Sequence, residues 1–65
     1  MKVVVNGATR EVDQQTLGEL LDVILTDTRG SAAAVDGEVV PRAGWAGFAL
    51  HEGQSVEILT AVQGG

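Results

Sequence analysis

Leu17, Leu20, Leu21, Ile24 and Leu25 fall at i, i+3, i+4, i+7 and i+8, and together they draw one apolar stripe along one helix. Glu19, Asp22 and Asp27 stay off that stripe. Thr16-Leu17-Gly18-Glu19 has the form of a capping box, in which the threonine hydroxyl and the glutamate carboxylate satisfy each other's backbone amides, so the helix is predicted to start at Leu17. Glu19 and Asp22 complement the positive end of the helix dipole, and Arg29-Gly30 offers a cation and an αL residue for the stop, giving about three turns. Gly18, near the start, escapes most of the roughly 1 kcal/mol penalty of a helix-interior glycine. One helix with one apolar face cannot bury itself, so the rest of a 65-residue chain has to cover it.

The rest reads as strands. Lys2–Val5 and Ala8–Val12 flank Asn6-Gly7, and Ala32–Val35 and Glu38–Val40 flank Asp36-Gly37. Asn-Gly and Asp-Gly between such runs signal two-residue hairpins, because a type I′ turn needs φ > 0 at both central residues. Pro41, which has no N–H for a ladder, ends the fourth strand or holds it at an edge. Arg42 to Leu50 reads as a compact connection packed down by Trp45 and Phe48, with both rings as core anchors. After a turn at His51-Glu52-Gly53-Gln54, Ser55 to Val62 forms the last strand, with Val56, Ile58, Thr60 and Val62 on the helix face and Glu57, Leu59 and Ala61 on the other. Leu59, Ala61 and Val4 of the first strand then form a modest exposed apolar patch, a candidate partner surface. A single domain over 1–65 follows, α+β in class, with a mixed sheet of four to five strands wrapped around one helix. The right-handed crossover rule lets the last strand lie parallel to the first in mid-sheet, which is the β-grasp arrangement.

Composition removes several functions. The net charge of −5 opposes nucleic acid and anionic membrane surfaces. No apolar run approaches the roughly 20 residues that span a bilayer, and the first residues are too soon interrupted to be a secretory signal, so a cytoplasmic protein is expected. There is no cysteine, hence no disulfide, persulfide or thiolate zinc ligand. His51 is the sole histidine and is read as a solvent-facing turn residue; its neighbour Glu52 is not thereby oriented toward it as a catalytic dyad would be. The glycines at 44 and 47 lack the lysine and helix start of a phosphate-cradling loop. No metal site is expected, and no enzyme active site.

There remains the end of the chain, Val62-Gln63-Gly64-Gly65. Two residues without Cβ before a carboxylate make a slim segment able to enter a narrow channel. A frayed terminus is the plainer reading of Gly-Gly. The strand-like stretch Ser55–Val62 favours presentation, since the glycines leave an ordered element with no long linker, and 62–65 is then a flexible tail.

Ala34-Val35-Asp36-Gly37-Glu38-Val39-Val40-Pro41-Arg42, followed by Trp45, Leu50, Gly53 and the closing Gly64-Gly65, resembles the thiamine-biosynthesis sulfur-carrier proteins (ThiS-type) of the ubiquitin-like β-grasp superfamily. The likeness covers essentially the whole chain, and the first half shares its pattern of hairpin and Thr-started helix. Glu52-Gly53-Gln54 departs from the Asp-Gly-Asp of many relatives, at a turn away from the tail. The resemblance implies that the Gly65 carboxylate is adenylated by a separate ATP-dependent activating adenylyltransferase, to which ATP and magnesium belong, with no cofactor bound by this chain. It implies further that a sulfurtransferase system supplies persulfide sulfur, and that the resulting Gly65 thiocarboxylate donates to thiazole synthase. Gly64 is the spacer in this scheme, and Val62 and Gln63 align the tail. The molybdopterin-synthase small subunit, a ubiquitin-like protein modifier and a plain interaction domain are the competing readings.

Overall fold

The computed structural model describes residues 1–25 and 28–60, Thr60 in its backbone alone. Among these residues, β1 (Lys2–Val5) and β2 (Ala8–Glu11) form the first hairpin, α1 (Leu17–Ile24) comes next, and β3 (Ser31–Val35) and β4 (Glu38–Val40) form the second hairpin. A 3₁₀ helix (Arg42–Gly47) leads to β5 (Ser55–Thr60). The sheet order is β2-β1-β5-β3-β4, with β5 parallel to β1 and antiparallel to β3. The last strand is therefore central, and the sheet with its single α-helix is the expected β-grasp.

Both hairpins turn as their residues require. Asn6 and Gly7 have φ of 49° and 85°, and Asp36 and Gly37 have 52° and 85°, so the chain reverses in two residues each time. Val3 and Val5 of β1, Ala33 and Val35 of β3, and Val56 and Ile58 of β5 alternate onto one face, where they meet Leu17, Leu20 and Leu21. Trp45 and Leu50 close this core, and the indole Nε1–H donates to the Val40 carbonyl at 2.8 Å. Phe48 is half-buried against the core rather than within it.

The helix start agrees with expectation but for one change. Thr16 Oγ1 accepts from the Glu19 amide at 3.2 Å, whereas the Glu19 carboxylate takes the amide of Gln15, at 3.0 Å, rather than that of Thr16. The helix also ends sooner than its stripe suggests. Leu25 is already extended, at φ −102° and ψ 130°, so α1 has eight residues, about two turns, and not three. Thr26-Asp27-Thr28 are weak helix formers, which explains the early stop. Ile24 and Leu25 still pack on the core, half-buried. Gly30, at φ 77°, serves the turn into β3, in which the Ser31 amide donates to the Thr28 carbonyl.

Gly18 has a reason the sequence pattern does not state. A Cβ there would stand 3.2 Å from the Cα and N of Ala46, because α1 crosses the 3₁₀ helix backbone at this point. Gly18→Ala is thus expected to destabilise by about 1 kcal/mol, overpacking outweighing the gain in helix propensity. A shift of the urea midpoint at constant m measures it; a rise in the midpoint contradicts the close packing.

Candidate functional site

The site begins where β5 leaves the sheet. β5 runs between β1 and β3, held by Val5↔Val56 on one side and by Ser31↔Thr60 through Val35↔Val56 on the other. β1 is shorter than β5 at this end, and the side chain of Asn6 makes up the difference. Its Oδ1 accepts from the Ile58 amide at 2.8 Å and its Nδ2 donates to the Ile58 carbonyl at 3.3 Å. One asparagine thus serves as a turn residue and as a substitute strand residue, leaving the Ile58 backbone satisfied up to the start of the tail. Ala61, Val62, Gln63, Gly64 and Gly65 lie outside the described residues.

The far face of the sheet, away from α1, carries Leu59, which is 72% exposed. The register separates Leu59 from Val4, contrary to the patch read from the alternation. Val4 is level with Ser55, four residues and about 13 Å back along β5. Leu59 instead lies beside Ala32, with Ala34 and Val39 next across the ladder, and these residues line a shallow groove of about 110 Å³ together with Glu57. The apolar surface is therefore built on β3, β4 and β5, and Val4 is not part of it. Ala32, Ala34 and Val39 carry no individual signal in the sequence, because only the pairing register brings them to Leu59.

The opposite end of β5 is tied down by polar contacts. Asp36 Oδ1 accepts from the Ser55 amide at 3.0 Å, Gln54 Nε2 donates to Asp36 Oδ2 at 3.3 Å, and Glu52 Oε1 accepts from the Lys2 amide at 3.1 Å. The His51-Glu52-Gly53-Gln54 turn thus holds the second hairpin and β1 to the start of β5. His51 is exposed, and its amide, not its ring, bonds within this turn, to Gln54 Oε1 at 2.8 Å. Among the described residues no cluster of three or more His, Asp or Glu side chains is placed to hold a metal ion. No helix among them is long and apolar enough to cross a membrane.

β5 thus runs in mid-sheet as far as Thr60, beside an open apolar face built on β3, β4 and β5. The ThiS family model matches residues 3–65, nearly the whole chain and including the terminal glycines. The chain belongs to the ThiS family. Its architecture agrees in detail with solved members. A crystal structure of the thiamine biosynthesis protein ThiS from Geobacter metallireducens is 28% identical, with each chain covered fully and a TM-score of 0.84. A solution structure of a thiamine biosynthesis protein from the same organism is also 28% identical, covers all of this chain and 88% of the other, and has a TM-score of 0.81. No curated protein sequence matches this chain. Within this ThiS-family chain, Pro41, Arg42 and Trp45 hold the junction between β4 and the 3₁₀ helix. Pro41 caps that helix, its carbonyl accepting from the Gly44 amide at 2.8 Å, while Trp45 fills the core beneath it.

Proposed function

We propose that this protein is a sulfur carrier of thiamine biosynthesis, itself a substrate and not an enzyme, whose reactive atom is the α-carboxylate of Gly65. The observation that carries the reading is the ThiS-family match running through Gly64-Gly65, on a chain whose strand β5 is central in the sheet. A carboxylate is a poor electrophile. An adenylyltransferase therefore joins it to the α-phosphorus of ATP with loss of pyrophosphate, magnesium remaining with that partner. The terminal sulfur of a donor's persulfide displaces AMP, and cleavage of the resulting S–S bond by a thiol leaves a thiocarboxylate on Gly65. Thiazole synthase is the acceptor.

In this reading Gly64 and Gly65 enter the partner's channel and Val62 and Gln63 align them. Leu59, with Ala32, Ala34 and Val39, seats an apolar side chain of the partner. These steps take place among cytoplasmic enzymes. Incubation with the host's adenylyltransferase, ATP, magnesium and a persulfide-charged sulfurtransferase, then alkylation, tests the reading. A single alkylated thiocarboxylate on Gly65 is expected. Amide-linked adducts on target lysines, or no ATP-dependent product, would overturn it.

A further inference from the structure

Charges of both signs are interspersed at the end where β5 begins: Glu11, opposite Lys2 and 3.2 Å from the Met1 ammonium; Arg10, opposite Val3; Glu38, opposite Val35; Asp36, bonded to the Ser55 amide; and Glu52, bonded to the Lys2 amide. The exit end is different. Ser31 is level with Thr60, and the Thr28–Ser31 turn preceding β3 therefore lies against the last described residue of β5. Into this turn reaches Arg42, whose Nη2 donates to Thr28 Oγ1 at 2.8 Å and whose guanidinium carbon sits 5.8 Å from the centre of the Trp45 ring. Arg29 is exposed in the same turn.

Arg42 thus stands at the end of the sheet where Thr60, the last described residue, lies, in a protein of net charge −5. Arg42 is also preorganised. A hydroxyl and an indole face hold it, and among the described residues it meets no carboxylate, so its charge is oriented without being neutralised.

We propose that Arg42 is the docking cation of the tail-presenting end, and that the activating partner carries a carboxylate-rich surface around the mouth of its channel. This rests on the sulfur-carrier reading and adds the partner's chemistry at that site. The contact brings the tail to the channel in the correct orientation before Gly65 reacts, so it acts on capture of the carrier and not on turnover of the captured complex.

The test is ATP–pyrophosphate exchange by the host's adenylyltransferase with wild type, Arg42→Gln and Arg42→Lys as carrier substrates, at about 50 mM and about 300 mM salt, across which the screening length falls from near 14 Å to near 6 Å. Arg42→Gln is expected to raise the KM for the carrier about tenfold at the lower salt, with kcat unchanged and the gap narrowing at the higher salt. Arg42→Lys, which keeps the charge, is expected to stay within about threefold of wild type. Thermal unfolding of the three separates docking from folding. Losses alike in both variants and parallel to Tm would make Arg42 a purely structural staple and overturn the proposal. A rise in KM for ATP in place of the carrier would do so too, assigning the cation to nucleotide phosphate. No exchange even with wild type would remove the sulfur-carrier reading, and this inference with it.

Discussion

Gly64→Val is expected to unfold at the same temperature as wild type and to lose ATP-dependent activation of Gly65 by at least about a hundredfold. The two halves of the expectation have separate causes. The buried residues among those described run from Val3 to Ile58 and already form a core between the sheet and α1. A β-branched side chain there restricts φ and ψ and widens the segment that has to pass along a channel wall. Displacing a reacting group by about 1 Å can alone cost about a hundredfold in rate. Circular dichroism reports the first half and pyrophosphate exchange the second. Exchange at the normal rate by Gly64→Val would remove the threading argument.

Trp45→Ala is expected to be the most damaging single change in the fold, costing about 3–5 kcal/mol. The indole is 6% exposed, closes the core at the 3₁₀ helix and satisfies the Val40 carbonyl through Nε1. Truncation leaves a cavity and takes the donor from that carbonyl, two losses at one position. A core this small supplies only about 3–5 kcal/mol in total, so the variant is expected to be largely unfolded at 37 °C. Amide dispersion in a proton–nitrogen NMR spectrum measures this, and a native-like spectrum with a cooperative melt near the wild-type Tm would contradict it.

The features legible in the sequence are those whose cause is local. Asn6-Gly7 and Asp36-Gly37 specify their turns through φ alone, and Thr16 and Glu19 announce a helix start within four residues. The alternation in β5 reports correctly that Val56 and Ile58 face the helix and Leu59 faces outward. Even the central place of β5 can be reached, because a right-handed crossover leaves few alternatives.

Features that depend on register and on contacts between distant segments are not legible in this way. Val4 and Leu59 share a face by alternation, yet only the Val4↔Ser55 pairing shows that they lie too far apart to form one patch. Asn6 is readable as a turn residue, but its second task, holding Ile58 at 52 residues' separation, has no local signature. Pro41-Arg42 and Trp45 carry the family likeness, while the seat of Arg42 on Thr28 emerges only once β4 and the turn before β3 are brought together. The helix stripe misleads at its end, since Ile24 and Leu25 need only lie near the core to be apolar, whether or not the backbone there is still helical. Of the proposed site, the groove and the cation belong to the fold, whereas Gly64 and Gly65 are legible as residue types.

The most direct measurement is the intact mass of the untagged protein purified from its own host under thiamine starvation, with tandem fragmentation to localise any change. The sulfur-carrier account predicts a fraction whose mass has gained one sulfur in place of one oxygen, with the change confined to Gly65. An unmodified mass that persists after incubation with ATP, magnesium and persulfide-charged host extract would contradict it.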